Sequence, residues 1–300
     1  MEASDGKNVV RLPSGLNKFQ IKNTPVILIP GILGSELKKG DELLWLDLPR
    51  TIKDVFGDTF LDALAMNADG TSKNSIQATD VIRKKDFGVT AFTYFYKLIE
   101  SIRSLGYQEN NDLFVFPYDW RLGNEINSEL LNKKIKEITQ NSGTRVDVVA
   151  HSLGGLIAKQ YIHDYPSSKI DHLIFVGTPH LGAPKAAKIL LFGDDMGIKF
   201  GFSFLDQDEV KKISHDMASV YQLLPEKQYF DQAGDYLENS SEKYDNAQSN
   251  NFLKSNLLNG SMLDQAVAFH DSLDSQSYTG VGIKAYNLVG CKTATITKII

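Results

Sequence analysis

The sequence predicts an α/β fold in which helices cover both faces of a mostly parallel central sheet. Short apolar runs alternate with amphipathic helical patterns from residue 26 to residue 177, and this alternation is typical of βαβ units. A strand-like segment at 283–290 resumes the pattern after a long interruption. The 300 residues are enough to bury one large core. We therefore expect a single domain over 1–300 with one insertion at about 183–282.

The composition excludes several classes of protein. Hydrophobic residues make up 42% and charged residues 23%, which is typical of a globular protein. The net charge of -5 argues against a nucleic-acid partner. No apolar run is long enough to span a bilayer, and MEASDGKNVVRLPSG at the start lacks a signal-peptide core. We therefore expect a cytoplasmic location by default, and an extracellular location is the alternative if the chain is an excerpt. The lone Cys291 excludes an internal disulfide.

The predicted strands and helices follow one another in short steps. Val26–Ile29 is an apolar run that Pro30-Gly31 ends. The segment from Phe92 to Gly106 predicts a helix, because its apolar residues have helical spacing and a glycine commonly follows a helix C-terminus. Asn124 is a typical helix start. The other predicted elements are strands at 112–116, 145–150 and 172–177 and helices at 124–140 and 153–164.

The segment from Ala183 to Gly282 interrupts this alternation and is expected to be irregular. An insertion of this length between consecutive strands is usually a cap or a functional loop. Its apolar part at 188–205 is either the core of such a cap or a lid that opens onto a lipid surface. A Ser/Asn-rich stretch follows at 238–251.

The strongest candidate for chemistry is Ser152, within VDVVAHSLGGLIAKQYI at 146–162. A nucleophilic serine on a sharp strand-to-helix turn needs small residues two positions before and after it. Ala150 and Gly154 occupy these positions, and alanine, though it replaces the usual glycine, is small enough. We predict that Ser152 is a nucleophile; the alternative is an ordinary serine in a tight turn.

Two backbone N–H groups are candidates for stabilising an oxyanion. The N–H of Leu153 would lie at a helix N-terminus, which favours negative charge. A second donor should come from the loop after the first central strand, here IPGILGSEL at 29–37. Gly31 and Gly34 allow this backbone to approach a ligand closely, and the N–H of Ile32 is our candidate. A strand followed by Pro-Gly is otherwise only a turn.

Taken together, these residues resemble the lecithin:cholesterol acyltransferase family of α/β-hydrolases, which includes lysosomal phospholipases. The matching blocks, in family order, are PVILIPGILGSEL at 25–37, WLDL at 45–48, YFYKLIESIRSLGY at 94–107, FPYDWRLG at 116–123, VVAHSLGGL at 148–156, VGTPHLGAP at 176–184 and SVYQLLP at 219–225. The resemblance implies an α/β-hydrolase fold and an enzyme whose serine attacks a lipid acyl ester and passes the acyl group to water or an alcohol. It implies Ser152 as nucleophile and Ile32 and Leu153 as oxyanion donors.

Some features depart from the family pattern. Animal members carry a disulfide near the first block, and this chain has no cysteine pair. Their Gly-Ala-Pro-Trp-Gly-Gly is replaced by GTPHLG at 177–182, which is similar to bacterial lipases. The chain therefore resembles a bacterial-type, lipase-like member, and cholesterol or a lipoprotein partner is not implied.

A serine nucleophile needs a base, and the base needs an orienting carboxylate. In this fold the chain order is serine, acid, histidine, and in the family the acid follows the strand matched here by 283–290. The residues after that strand, CKTATITKII, contain neither an acid nor a histidine. We therefore expect the triad acid and histidine beyond residue 300, a chain truncated at its C-terminus, and negligible ester turnover by residues 1–300.

The histidines of the chain offer alternatives. His180 lies near the predicted edge of the active site, but a base there would break the chain order. His270, in the insertion with His215, forms either a base with neighbouring acids or part of a solvated helix face. Structural or exposed positions are expected for His151, His163 and His172. The acids beside His270 are Asp264, Asp271 and Asp274.

The remaining features define the competing functions. Asp119 and Arg121 are expected to form a buried pair, while Trp45 and Trp120 contact lipid or belong to the core. The sequence contains no metal-ligand spacing and no cofactor fingerprint, so we expect neither a bound metal ion nor a cofactor. The first hypothesis is a lipid-ester hydrolase or acyltransferase with transient lipid-surface contact through the cap. The alternatives are a non-catalytic binding module and an esterase or thioesterase on a non-lipid substrate.

Overall fold

The computed structural model describes residues 2–4, 9–11, 23–47, 59–83, 93–140, 144–165, 169–194, 205–256, 258–273, 282–291 and 295–300. Phe92, Asp274 and the part of the apolar patch at 195–204 lie outside these ranges. The strands of the described residues are β1 Glu2–Ser4, β2 Val9–Arg11, β3 Val26–Ile29, β4 Ser35–Lys39, β5 Glu42–Trp45, β6 Ile76–Val81, β7 Leu113–Val115, β8 Val146–His151, β9 Ile170–Val176, β10 Leu237–Glu238, β11 Lys243–Tyr244 and β12 Lys284–Leu288.

Helices connect these strands and fill the segment before β12. They are α1 Thr93–Ser104, α2 Asn124–Thr139, α3 Leu153–Asp164, α4 Pro184–Phe192, α5 Gln207–Ser214, α6 Ala218–Tyr221, α7 Lys227–Ala233, α8 Asn246–Ser255 and α9 Gly260–Leu273, with a 3₁₀ helix at Thr59–Leu64. The 153–164 helix therefore has the predicted bounds. None of the helices in the described ranges is long and apolar enough to cross a membrane.

The central sheet of the described chain has five parallel strands in the order β12-β9-β8-β3-β7. All four residues of β3 are buried, as expected where both faces of a parallel sheet are covered. Ile27 and Ile29 join the main core cluster, whereas Val26 and Leu28 pack with residues of α1 in a second cluster. The sheet therefore has helices on both faces, and the predicted α/β-hydrolase fold is confirmed.

A smaller antiparallel sheet lies beside the central one, in the order β5-β4-β6. The middle strand of this sheet, β4, is the first of the three along the chain. It begins at Ser35, directly after the loop that follows β3. This connection joins the loop of the candidate oxyanion donor to a second sheet, and thereby limits the positions that the loop can take.

The expectation of irregular structure at 183–282 was wrong. Helices α4 to α9 occupy most of its described residues. Most of these helices are short, so their apolar spacing repeats too few times to stand out. Capping residues were a usable signal: Asp206 accepts a hydrogen bond from the N–H of Glu209, and Asp245 forms a capping box with Gln248 at the start of α8.

Two further local predictions are settled by the structure. The strand predicted at 283–290 exists as β12, which pairs in parallel with β9. The helix predicted from Asn124 exists as α2 and begins at that residue, with Gly123 as its N-cap. The backbone N–H of Asn124 donates to Oε1 of Gln222, 2.8 Å away, a long-range contact that no local pattern predicts.

Candidate active site

Ser152 lies on a sharp turn between β8 and α3. Its φ of 51° and ψ of -122° are strained for a residue with a side chain. Its backbone N–H donates to the carbonyl of Val176 at the end of β9, at 3.0 Å. This strained strand-to-helix turn is the geometry that exposes a nucleophilic hydroxyl at the carboxyl edge of a sheet.

The small residues around Ser152 permit close backbone approach. A Cβ added to Gly154 would lie 2.5 Å from the carbonyl oxygen of Pro30, and one added to Gly155 would overlap Thr178. A Cβ added to Gly31 would lie 2.9 Å from Cβ of Ser152. The loop after β3 therefore rests directly on the serine turn, and glycine is required at these contacts.

Aromatic side chains hold this loop in place. The Tyr118 hydroxyl donates to the carbonyl of Pro30 at 3.0 Å, and Trp120 Nε1 donates to the carbonyl of Ser35 at 3.2 Å. Trp45 Nε1 donates to the carbonyl of Leu33 at 2.8 Å. These bonds to main-chain oxygens fix the backbone around Ile32. This positioning role was missed from sequence, although the residues concerned lie in blocks already singled out.

An apolar cavity of about 410 Å³ adjoins Ser152, a volume within the range of ligand pockets. Ile32 and Leu33 line it from the loop after β3, and helices α4 to α6 supply its far wall. The lining residues from those helices are Lys185, Ala186, Ile189, Val210, Ile213, Ser214 and Val220. The cavity can hold an apolar chain with one end at Ser152.

The two tryptophans of the chain are both core residues and cavity residues. Trp45 is 2% exposed and Trp120 is 1% exposed. Their rings meet edge to face, with centroids 5.6 Å apart, and both line the cavity beside Ser152. The sequence left open whether these tryptophans belong to the core or contact a ligand. Each ring packs in the core and also forms part of the cavity wall that an occupant would contact.

The predicted pair of Asp119 and Arg121 is confirmed. Arg121 is 0% exposed, and its Nη2 lies 2.6 Å from Oδ2 of Asp119. The remaining guanidinium donors reach the carbonyl of Leu64 and the hydroxyl of Ser72. The pair thus ties the stretch between Tyr118 and α2 to the segment after the 3₁₀ helix. Its position is structural, since neither side chain lines the cavity.

Two histidines lie near the serine turn. His151 ends β8, and its ring packs beside Gly31; burial lowers the pKa of His151. His180 follows β9, and its Nε2 lies 2.9 Å from Oδ1 of Asn287 on β12. Burial lowers the pKa of His180 as well. Within the described part of the chain, neither ring is hydrogen-bonded to the hydroxyl of Ser152.

His172 lies at the other end of the sheet. Its Nδ1 is 2.8 Å from Oδ1 of Asp147, which stands at the start of β8, whereas Ser152 follows the end of that strand. Asp147, Asp171 and His172 are close enough together to hold a metal ion. However, Lys284 Nζ lies 3.4 Å from Nε2 of His172, and this positive charge opposes a cation there. The group takes no part in the site at Ser152.

The base–acid cluster around His270 is not made by Asp264 or Asp271, and Asp274 lies outside the described residues. His270 is 5% exposed on the buried face of α9, so the reading as a solvated face was also wrong for this residue. Asp264 and Asp271 are exposed, and Asp264 pairs instead with Lys254 at 2.7 Å. His163 and His215 each contact the aspartate that follows them, at 3.1 Å.

A group of charges lies beside the cavity wall. Asp62 of the 3₁₀ helix contacts Lys212 of α5, and Glu209 lies 3.2 Å from the same ammonium. Each of these residues is the sequence neighbour of a cavity-lining residue, Leu61, Val210 or Ile213. Burial, together with the adjacent Asp62 carboxyl, raises the pKa of Glu209 to about 7.

Glu209 should make the stability of the protein depend on pH. Its folded-state pKa lies above its ordinary value of 4.5, so the stabilisation is complete below that value and is lost as the pH rises through 7. Glu209→Gln remains neutral. We expect its unfolding free energy to fall less than that of the wild type between pH 5 and pH 8, by about 1 kcal/mol after solvent screening. Urea unfolding at both pH values measures this difference.

The matched control is Asp208→Asn, which removes an exposed acid from the same helix. It should leave the pH dependence of wild type unchanged. Parallel loss of stability in Glu209→Gln and wild type would contradict the assignment of the raised pKa.

Comparison with known proteins finds one family and several relatives. The family described as lecithin:cholesterol acyltransferase matches residues 41–288. The lysosomal phospholipase A and acyltransferase of Rattus norvegicus is 28% identical over 211 residues, covering 58% of this chain and 51% of the relative. The phosphatidylcholine-sterol acyltransferase of Mus musculus is 29% identical over 228 residues, covering 64% and 52%. The chain spans about half the length of these curated relatives.

A solved structure agrees with the fold. The crystal structure of the Tle4–Tli4 complex matches with a TM-score of 0.53 and 15% identity, covering 88% of this chain and 74% of the other. At this level of identity the likeness concerns the fold alone.

Proposed function

The chain belongs to the lecithin:cholesterol acyltransferase family, and from that premise we propose that it transfers acyl groups from lipid carboxylic esters through an acyl-enzyme on Ser152. The acceptor of the acyl group is water or an alcohol. The observation that carries the proposal is the strained turn of Ser152 at the mouth of an apolar cavity. A lipid acyl chain fits such a cavity, because burial of its methylene groups is favourable.

The reaction needs charge stabilisation beside the serine. When the Ser152 hydroxyl adds to the ester carbonyl and gives its proton to a general base, negative charge develops on the carbonyl oxygen. We assign the N–H groups of Ile32 and Leu153 to this oxygen. Leu153 begins α3, so its N–H has no partner within the helix. Ile32 lines the same cavity as Ser152, on the loop that Tyr118 and Trp120 hold.

Helices α4 to α6 would then act as the cap that the sequence suggested. They supply the far wall of the cavity, so movement of these helices would admit a lipid. We propose that this cap makes the transient contact with a lipid surface; Phe192, the last residue of α4, is 55% exposed. The lipid ester is the proposed partner.

Labelling with a fluorophosphonate tests the nucleophile, because the reagent forms a stable bond to an activated serine. We expect one adduct on the full-length protein, located by peptide mass spectrometry at Ser152 and absent from Ser152→Ala. Ser214→Ala is the matched control, since Ser214 lines the same cavity and its hydroxyl donates to the carbonyl of Lys211. Labelling of Ser152→Ala at the wild-type rate would overturn the proposal.

Labelling, combined with fatty-acid binding and ester kinetics, separates the alternatives. A non-catalytic module that binds lipid would take up fatty acid without forming an adduct. An esterase on a non-lipid substrate would form the adduct, yet its kcat/KM would not rise with the acyl length of the ester. The apolar lining of the cavity favours the lipid ester.

A further inference from the structure

A second cavity, of about 460 Å³, lies on the other side of α6. The loop before β6, the start of α2, and helices α3 and α9 complete its walls. Its apolar surface comes from Ala218 and Phe269, among others, whereas polar side chains converge from several elements. A concave site with an apolar wall and a few convergent polar groups is typical of a small-molecule site, and the reaction at Ser152 makes no use of it.

Two loops that line this cavity lie near Ala218. A Cβ added to Gly123 would lie 3.8 Å from Cβ of Ala218, and one added to Gly70 would lie 3.6 Å from the same methyl group. Both glycines therefore lie close to the side chain of Ala218. Asp69 directly precedes one of these glycines, and Glu125 lies two residues after the other.

The described charged side chains that line this cavity are all acidic. Asp69 and Glu125 both line it, and no lysine, arginine or histidine is among its described lining residues. Asp69 accepts hydrogen bonds from the N–H and the hydroxyl of Thr71. Both oxygens of Glu125 accept from Nε2 of Gln222, at 2.8 and 2.9 Å. These neutral donors orient the carboxylates without neutralising them, so the cavity attracts a cation.

Gln160 supplies an independent sign of a ligand. This residue lines the cavity and is 5% exposed. Its Nε2 donates to Oδ1 of Asp164 at 2.8 Å, which fixes the orientation of the amide because a carboxylate only accepts. Its Oε1 is buried and has no hydrogen-bond partner among the described residues. An acceptor in this state is costly unless a donor reaches it.

We propose that this cavity binds a small organic ammonium ion whose N–H groups are donated to the Glu125 carboxylate and to Oε1 of Gln160. Phe269 and Ala218 then contact its alkyl part. A metal ion would need a tighter set of ligands, and the one such His/Cys/Asp/Glu group in the described ranges is Asp147, Asp171 and His172.

The second cavity shares a wall with the cavity beside Ser152. Ala218 and Gln222 face the second cavity, while Val220 and Leu223 line the catalytic one. The short segment around α6 is therefore a shared wall. Ser219 anchors it, because its hydroxyl donates to the carbonyl of Trp120 at 2.5 Å. The ammonium site itself does not depend on the proposed reaction.

Titration of the protein with propylammonium chloride at low ionic strength tests the proposal, with side-chain amide NMR signals of Gln160 and Gln222 as the readout. We expect saturable shifts of both signals, and none with 1-propanol, which has the same shape without the charge. Glu125→Gln keeps an acceptor for Gln222 but loses the charge, so its affinity should fall about tenfold or more. Gln160→Met should weaken binding as well.

The matched control is Glu129→Gln, one turn further along α2, where Glu129 is exposed and paired with Lys133. It makes the same change in net charge and should bind as wild type does. Equal affinity of Glu125→Gln and Glu129→Gln, or saturable binding of 1-propanol, would overturn the proposal. Soluble dihexanoylphosphatidylethanolamine separates the sources: a free amine should bind more tightly, because a lipid phosphate would meet two carboxylates, and the reverse order would assign the site to a lipid headgroup.

Discussion

Arg121→Met is expected to lower the free energy of unfolding by about 3–5 kcal/mol, which is the usual cost of breaking a buried ion pair by removing one partner. The substitution leaves the Asp119 carboxylate buried without its cation, since Asp119 is 8% exposed. It also removes the donors to the carbonyl of Leu64 and the hydroxyl of Ser72. Because domains are typically stable by only about 5–15 kcal/mol, the variant should lose much of its margin. Urea unfolding measures the loss.

Arg103→Met provides the comparison. Arg103 pairs with Glu100 on α1 at 2.7 Å, but both side chains are about half exposed. Exposed pairs of this kind contribute about 0.2–1 kcal/mol, so this variant should unfold almost as wild type does. Equal destabilisation by the two substitutions would show that burial of the Arg121 pair has no energetic consequence.

Gly154→Ala is expected to slow fluorophosphonate labelling of Ser152 by about a hundredfold or more, the usual effect of losing one oxyanion donor. The new methyl group would lie 2.5 Å from the carbonyl oxygen of Pro30 and 2.8 Å from Cγ2 of Ile29. Neither atom can yield easily, because Ile29 belongs to a buried strand. The loop that carries Ile32 must therefore move away from the serine turn. Stopped-time labelling of folded protein, checked by circular dichroism, gives the rate.

Gly260→Ala controls for the general effect of alanine at a helix start. Gly260 is the first residue of α9, and a Cβ there would contact nothing within 4 Å. Labelling should remain at the wild-type rate, and stability should stay the same or rise slightly. If Gly154→Ala labels as fast as Gly260→Ala, the contact between Gly154 and Pro30 has no part in positioning the loop that carries Ile32.

Local sequence patterns were sufficient to predict those elements whose residues lie within one short stretch of the chain. The helix after Ser152 and the strand before it were read from apolar spacing and small residues alone, because a strand-to-helix turn restricts both its neighbours and its backbone. The pairing of Asp119 with Arg121 was also accessible, since the two residues lie two positions apart and a buried charge needs a partner. Ser152 itself remains a predicted nucleophile until labelling tests it.

Other features depend on contacts between distant parts of the chain. The short helices between β9 and β12 have too few turns for a clear period, and their packing around one cavity decides their conformation. The contact at the start of α2 is of the same kind, because Gln222 accepts the hydrogen bond of the Asn124 N–H from 98 residues away. The burial of His270 likewise follows from packing of α9 rather than from its sequence neighbours.

The sequence by itself determined the class of fold, the segments of the chain that form the parallel strands, and the turn that presents Ser152. These follow from periodicity and from the steric limits of short stretches. Only the tertiary structure decided which groups meet: the aromatic donors on the loop after β3, the apolar cavity beside Ser152 and the acidic cavity on the other side of α6. Each of these depends on side chains from several elements, whose convergence is set by packing of the whole domain.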